Sequence, residues 1–288
     1  MKALIVGATG QLARALQRDL PQSVQAVALS RAEYELADHS ALARQLDAHA
    51  PSVLINATAY TAVDLAETDR QGAFAANAEA VGLMAEACEQ RAIKFVHVST
   101  DFVFDGGAGR PYRPEDATNP LGVYGLSKLE GERRIAARPR LDWRVIRTAW
   151  VYSAAGRNFV LTMLRLFRER TVVKVVADQV GTPTSAGSLA ACVWAAALTD
   201  GESGILHFTD AGVASWYDFA VAIYDEARAL GLIQQDVVIM PVPTEQYPTP
   251  ARRPSYSVLD NRVTLEQLGL QPVHWRANLR KVLKELVP

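Results

Sequence analysis

Lys2-Ala3-Leu4-Ile5-Val6-Gly7-Ala8-Thr9-Gly10-Gln11-Leu12-Ala13 follows the first methionine, and its reading decides the fold. Ala3 to Val6 is a short apolar run that ends in Gly7, and Gln11 to Leu20 continues as a helical pattern. Glycine belongs where a backbone must turn sharply and approach a pyrophosphate, and the helix start that follows offers unpaired N–H groups to an anion. The spacing is Gly-x-x-Gly-x-x-Ala rather than Gly-x-Gly-x-x-Gly, and Ala13 at the last position still permits close helix–strand packing. The plainer alternative is an ordinary strand–helix turn.

The same alternation continues outward from this stretch. Val24–Leu29, Val53–Ile55, Phe95–Val98 and Trp143–Ile146 read as strands, and Ser40–His49, Ala73–Gln90 and Tyr124–Ala137 as helices between them. Near-continuous apolar strands separated by helices predict an α/β protein: a doubly wound parallel sheet covered on both faces. Beyond about residue 150 the rhythm changes. Val172–Val176 and Ile205–Phe208 are candidate strands, Thr182–Gly187 is loop-like, and Ser215–Leu230 is an amphipathic helix with Ser215 as its N-cap. Pro241–Pro254 reads as a long ordered loop or lid, and Ala277–Leu286 as a short helix. The expected division is a nucleotide-binding domain over 1–150, joined by part of 185–210, and a smaller α/β substrate lobe over most of 151–288. There is no internal repeat and no low-complexity tract.

Composition narrows the function classes. With 288 residues, 49% hydrophobic and 21% charged, the chain can bury a sizeable core. A formal net charge of −1 with scattered Lys and Arg argues against nucleic acid or an anionic membrane as partner. The apolar runs fall well short of the roughly 20 residues of a membrane span. No apolar leader with a cleavage site precedes Lys2, so a cytoplasmic protein is expected. Cys88 and Cys192 lie in apolar, alanine-rich stretches and read as small buried hydrophobes. No His, Cys or acid cluster has metal-ligand spacing, and no metal is expected.

Tyr124 and Lys128 stand at i and i+4, on one face of a helix. Ketone reduction requires a proton for oxygen as hydride reaches carbon, and a tyrosine beside an ammonium is a suitable donor because the cation lowers its pKa. Lys128 is expected both to tune Tyr124 and to clamp a nicotinamide ribose. Thr100, at the end of the strand Phe95–Val98, supplies a hydroxyl at the sheet's carboxyl edge, where ligands bind in such folds. After the second strand the chain reads Leu29-Ser30-Arg31, without the acid that would hold a ribose 2′-hydroxyl. Ser30 and Arg31 suit a 2′-phosphate instead, so NADPH is the expected cofactor with NADH a permitted substitute; the alternative for Arg31 is a solvated surface charge. His97, within a strand, reads as a packed core histidine.

These residues resemble the extended short-chain dehydrogenase/reductases, and within them the dTDP-4-dehydrorhamnose reductase family. The resemblance is carried by Gly7–Leu12, Asn56–Asp64, Ser99–Gly106, Tyr124–Glu132, Arg147–Tyr152, Asp178–Thr184, and Arg253-Pro254 with Ser257, over nearly the whole chain. It implies a Rossmann-type fold and NADPH-dependent reduction of the 4-keto group of dTDP-4-dehydro-L-rhamnose, in nucleotide-sugar biosynthesis for surface polysaccharide. It also implies site residues. Tyr124 is the proton donor, with Lys128 and Thr100 beside it. Gly7, Gly10, Gln11 and Leu12 lie at the pyrophosphate, Asp38 and His39 near the adenine, and Ala59, Tyr60 and Thr61 on the nicotinamide side. Thr100, Asp101 and Trp150 face the sugar, and Arg253 meets the diphosphate, since a guanidinium suits phosphate oxygens. Plainer readings stand beside these: His39 as a solvated loop residue, Tyr60 and Trp150 as core aromatics, Asp101 as a turn cap, Arg252 and Arg253 as surface charges. Some relatives are described as metal-bridged dimers through glutamates, whereas the matching first-helix position here is Ala15; a monomer or a homodimer is expected.

Two rivals remain from the sequence. The first is a nucleotide-sugar dehydratase or epimerase of the same fold: a dehydratase resembling this family has a further acid after the Thr-Asp pair, where this chain has Phe102, and such enzymes retain NAD tightly, which the missing acid near Ser30 disfavours. A non-catalytic, NADP-binding regulatory subunit, resembling that of methionine adenosyltransferase, would not require the intact Tyr124, Lys128 and Thr100. Reductases of other nucleotide-linked 4-keto-6-deoxy sugars would use the same machinery.

Overall fold

The structure is a computed structural model that describes residues 1–30 and 39–287. The first half runs β1 (Lys2–Val6), α1 (Gln11–Arg18), β2 (Gln25–Leu29), α2 (His39–His49), β3 (Val53–Asn56), α3 (Val63–Ala66), α4 (Arg70–Phe74), α5 (Ala80–Gln90), β4 (Lys94–Thr100), α6 (Val123–Ala136) and β5 (Trp143–Thr148). The second half runs β6 (Val151–Tyr152), α7 (Phe159–Glu169), β7 (Val172–Val176), β8 (Val180–Gly181), β9 (Thr184–Ser185), α8 (Ala186–Leu198), β10 (Gly204–His207), β11 (Ala214–Ser215), α9 (Trp216–Ala229), β12 (Val238–Val242), α10 (Arg262–Gln267) and α11 (Trp275–Lys284).

Six strands form one parallel sheet in the order β10-β5-β4-β3-β1-β2. The order reverses between β1 and β3, so the loops after these two strands diverge and leave a crevice at the carboxyl edge, where α/β folds bind ligands. One face is covered by α1 and α8, packing Leu12, Leu16, Val193 and Trp194 onto Ile5 and Ile55. The other face is covered by α2 and α5, with Leu42, Leu46, Met84 and Cys88 on Leu4, Leu54 and Phe95. Both cysteines are buried and free, as expected, and burial pushes both thiols up. The strands read as continuous apolar runs because neither face of the sheet meets water.

A second core joins α7, β7, α9 and α11 around Phe167, Phe219, Ile223, Trp275 and Leu279. Ser215 caps α9 as expected: its hydroxyl accepts from Asp218 N at 3.0 Å while the Asp218 carboxylate accepts from Ser215 N at 2.9 Å. α8 packs on α1 and β10 pairs beside β5, so residues 186–207 return to the large sheet.

The structure departs from the sequence expectations in three places. Ala73–Gln90 is not one α-helix: a π-helical turn at Ala75–Glu79 divides it. Thr182–Gly187 is not simply loop, because it holds β9 and the start of α8, which Ser185 caps from its side chain. The Pro241–Pro254 segment begins inside β12, which pairs in parallel with β7; Pro241 lacks an N–H and is tolerated because β12 is the outer member of a two-stranded sheet. Among the described residues no helix is long and apolar enough to cross a membrane.

Candidate active site

Gly7 ends β1 with φ +102°, and a Cβ there would collide with Thr58 and Ala57 after β3. Only glycine lets the backbone turn there and leave the crevice open. Gly7 N and Ala8 N donate to Leu29 O at 3.1 and 3.0 Å, which ties the loop to the end of β2 beside Ser30. Gly10 caps α1 without a side-chain hydrogen bond, so the first N–H groups of the helix, those of Gln11 and Leu12, face the loop. The Leu12 side chain is buried beneath it. Gln11 does something the sequence did not indicate. Its Oε1 accepts from Ser153 Oγ and Asn158 Nδ2, each at 2.8 Å, and so draws the 153–158 segment onto the phosphate loop. Arg31 and Asp38 lie outside the described residues, as does the His39 side chain at the start of α2.

The loop after β3 carries Ala59, Tyr60 and Thr61. Asn77 holds it: Asn77 Oδ1 accepts from Tyr60 N at 2.8 Å, and Asn77 Nδ2 donates to Tyr60 O at 3.1 Å and to Ser127 Oγ at 3.0 Å. Asn77 is fully buried in the π-helical turn, whose widened spiral turns its side chain toward both the loop and α6. Sequence reasoning missed Asn77; a lone asparagine in an alanine-rich helix was the available signal.

Thr100 and Asp101 stand where β4 ends in a 3-10 turn, and both are buried. Thr100 Oγ1 donates to Asp101 Oδ1 at 3.0 Å and accepts from Phe102 N at 3.1 Å. Asp101 Oδ2 is buried with no hydrogen-bond partner among the described residues. Burial pushes the Asp101 carboxyl up to about 6, with the nearby Ser257 and Thr100 hydroxyls opposing. α6 lies directly on this turn because Gly125 has no Cβ: one there would overlap the Phe102 carbonyl oxygen. That close approach places Tyr124 beside the turn after β4, edge-on to the Phe102 ring, 5.7 Å between centroids.

Tyr124 and Lys128 are both brought to this rim, with a difference from expectation. The Tyr124 phenol is pushed up to about 12, chiefly by burial, with the neighbouring Thr100 hydroxyl opposing and the Asp101 charge assisting. Lys128 does not lower it. The buried Lys128 amine donates to Val98 O at 2.6 Å and meets His97 Nε2 at 3.0 Å, and burial lowers it to about 8. His97 is a fully buried core residue, as read from the sequence, but it also touches Lys128.

Trp150 follows β5, in register two residues beyond the Thr100–Thr148 pair, with φ +48°. Such a backbone is strained for a bulky residue and persists only where the surroundings over-determine it. Trp216 stacks on the indole at 3.5 Å and 7°, and the indole lies so close to Gly181 that no Cβ fits there. Trp150 is therefore held rigidly against the second core. Arg253 does not project alone: Asp64 Oδ1 and Oδ2 grip it at 3.0 and 2.9 Å, which fastens the segment after β12 to α3. Ala15 is buried in α1 against the α8 side of the core. A cradle that a Cβ would fill, uncapped N–H groups and a buried amine at one sheet edge together fit a dinucleotide.

A family model described as the RmlD substrate binding domain matches residues 1–287. A Burkholderia thailandensis protein named dTDP-4-dehydrorhamnose reductase is 43% identical over 297 residues, covering 100% of this chain and 99% of that protein. A Streptomyces antibioticus protein named probable dTDP-4,6-dihydroxy-2-methyloxan-3-one 4-ketoreductase is 39% identical over 292 residues, covering 100% of this chain and 96% of that protein. The crystal structure of dTDP-4-dehydrorhamnose reductase from Bacillus anthracis in complex with NADP superposes with a TM-score of 0.92 at 31% identity, over 99% of both chains. On matches of this length and depth, the chain belongs to the RmlD substrate-binding-domain family.

Proposed function

We propose that this chain is an NADPH-dependent oxidoreductase that reduces the 4-keto group of dTDP-4-dehydro-L-rhamnose to give dTDP-L-rhamnose. The observation that carries the reading is the gathering at the carboxyl edge of the sheet of the Gly7–Leu12 loop after β1, Thr100 at the end of β4, and Tyr124 with Lys128 one turn on in α6, which Gly125 lets lie directly on the turn at Phe102. The B. thailandensis and B. anthracis relatives support it.

The dinucleotide would be held by the Gly7–Leu12 loop at its diphosphate, by Ser30, Arg31, Asp38 and His39 at its adenosine end, and by Ala59–Thr61, Tyr124 and Lys128 at its nicotinamide end. When bound, it supplies the hydride. The chain's own residues manage the oxygen. Thr100 Oγ1, turning its one hydrogen away from Asp101 Oδ1, donates a hydrogen bond to the carbonyl oxygen as negative charge grows there, within a buried rim where such a bond is strong. The Tyr124 phenol gives that oxygen its proton. A phenol held at about 12 is protonated at neutral pH, the form that a donor needs. Asp101, with its unpartnered Oδ2, binds a sugar hydroxyl, and Trp150 forms the wall behind the ring. Arg253 reaches the nucleotide diphosphate from the segment after β12, in exchange for part of its contact with Asp64.

This reading includes two lobes: 1–150 with the returning 186–207 segment for the cofactor, and most of 151–288 for the nucleotide sugar. It also includes a cytoplasmic location and a monomeric or homodimeric state. A second substrate, another dTDP-linked 4-keto-6-deoxy sugar, is favoured by the S. antibioticus relative. The test follows reduced-nicotinamide absorbance with each substrate and with NADPH or NADH. The proposal expects turnover of dTDP-4-dehydro-L-rhamnose, faster with NADPH. Tyr124→Phe should keep the fold and lose about 10³-fold in kcat, within the range of general acid catalysis. Wild-type turnover by that variant removes Tyr124 from the chemistry, and no turnover of either sugar overturns the activity.

A further inference from the structure

Lys128, His97 and Asn56 form a continuous buried chain: Lys128 Nζ to His97 Nε2 at 3.0 Å, and His97 Nδ1 to Asn56 Nδ2 at 3.1 Å. All three side chains are at most 1% exposed, so water does not rescue a mismatched contact. The direction of every hydrogen bond in this chain follows from one backbone group. Thr58 N is a peptide N–H and can only donate. It donates to Asn56 Oδ1 at 2.9 Å, and Thr58 Oγ1 adds a second donor at 2.6 Å. The Asn56 amide is thereby oriented with Oδ1 toward Thr58 and Nδ2 toward His97. His97 Nδ1 must then accept, so the neutral ring carries its proton on Nε2. That N–H points at Lys128 Nζ, which can receive it only through a lone pair. An ammonium has none.

We propose that Lys128 is held as a neutral amine in the cofactor-free protein, with His97 as the positioning residue that donates to it and Asn56 as the residue that fixes the His97 tautomer. The neutral amine keeps two N–H groups, one of which donates to Val98 O. Burial acts in the same sense on both groups, lowering Lys128 to about 8 and His97 well below the usual imidazole range, and the His97 N–H aimed at the amine lowers Lys128 further. The surrounding charges do not restore the cation. Glu132, one turn along α6, is the carboxylate whose field reaches Lys128, and it is gripped by Arg147 at 2.7 Å. On the elements packed around α6, Asp64 is on Arg253, Glu67 caps Val123 N, Arg70 lies over Phe74, Glu79 is exposed, Glu86 and Glu89 meet Arg138, Lys94 meets Asp142, and Asp101 holds Thr100. This explains why Lys128 leaves the Tyr124 phenol high. The lysine becomes a cation, and releases His97, only when an anion shares the crevice, which couples its charge to a loaded site.

The inference rests on the proposed role of Lys128, but its test uses no substrate and no activity. Cofactor-free protein labelled with ¹⁵N-histidine and ¹³C-lysine is titrated by NMR. The expected result is a His97 Nε2–H tautomer throughout roughly pH 7 to 9, with Lys128 uncharged over the same range rather than titrating above 10. Asn56→Asp keeps the shape and the Thr58 contact but replaces the donor facing His97 with an acceptor. His97 should switch to the Nδ1–H tautomer, present Nε2 as an acceptor, and raise the Lys128 proton affinity by about tenfold or more. A His97 Nδ1–H tautomer in the wild type, or a Lys128 that is charged at pH 7, overturns the inference even in an active reductase. Should the aspartate variant fail to fold, the wild-type tautomer alone decides. An inactive protein that shows the expected tautomer would instead overturn only the reductase reading.

Discussion

Two ion pairs fasten the crevice, one at each side, and they differ in almost everything but chemistry. Glu132 and Arg147 lie beneath the rim, with side chains 4% and 5% exposed, joined at 2.7 Å. Arg147 also reaches Pro114 O, meets His207, and lies over the Phe104 ring at 5.2 Å. Asp64 and Arg253 sit on the outer side, 41% and 22% exposed, joined at 2.9 Å. Water screens the second pair and not the first. A buried pair is costly to form but more costly to leave half-made, so it acts as a rigid joint between α6 and β5. A half-exposed pair is worth little and exchanges partners easily, which suits a segment that must admit a substrate. The machinery around Tyr124, Lys128 and Thr100 stands on the first kind of contact, and the segment carrying Arg253 stands on the second.

The comparison breaks most readily at the buried joint. Glu132→Gln preserves shape but leaves the Arg147 guanidinium without its counter-charge, and the expected loss is about 3–5 kcal/mol of unfolding free energy. Urea denaturation measures it; a loss below about 1 kcal/mol would place this pair in the same class as Asp64–Arg253.

A smaller effect concerns Asp101, whose buried carboxyl binds its proton more tightly folded than unfolded. Its value rises from the ordinary 3.8 to about 6. Between those values the native state holds more protons than the unfolded state, so this group makes stability fall as pH rises through that window. The contribution is fully present below the unfolded value and lost above about 6, at most about 3 kcal/mol. Asp101→Asn should remove this slope. The variant should gain stability relative to wild type between pH 4 and pH 8 in paired denaturation curves, and parallel curves would show that the carboxyl ionises normally.

The frame of the molecule was legible because each of its signals is local. Ala3–Val6 followed by Gly7 and Gly10 announces a strand, a tight turn and a helix within a dozen residues. Tyr124 and Lys128 share a helical face by spacing alone, and Thr100 ends an apolar run. Ser215 and Asp218 spell a capping box. One local signal went unread: Asn158 caps α7, and Val160, Met163, Leu164 and Phe167 repeat at helical spacing and are buried. What sequence could not carry depends on contacts between distant segments. Asn77 matters through Tyr60 and Ser127, 17 and 50 residues away. The height of the Tyr124 phenol depends on where the Lys128 amine goes, and that is decided by His97 and Val98, about 30 residues earlier. The two-residue strands β6, β8, β9 and β11 have no period to detect.

The smallest effect is expected at the outer pair, and it separates two roles for Arg253. The carboxylate of Asp64 is held below its usual range, chiefly by its hydrogen bonds from Arg253, yet both groups are open to water. Asp64→Asn should therefore change stability by less than about 1 kcal/mol, and the change should shrink further in salt. If Arg253 serves the diphosphate as well as Asp64, Arg253→Ala should raise KM for the nucleotide sugar by about tenfold, the loss of one charge-assisted contact, with kcat little altered. Asp64→Asn, which leaves the guanidinium in place and frees it, should raise KM far less or lower it. Equal increases in the two variants would mean that Arg253 does no more than fasten its segment to α3.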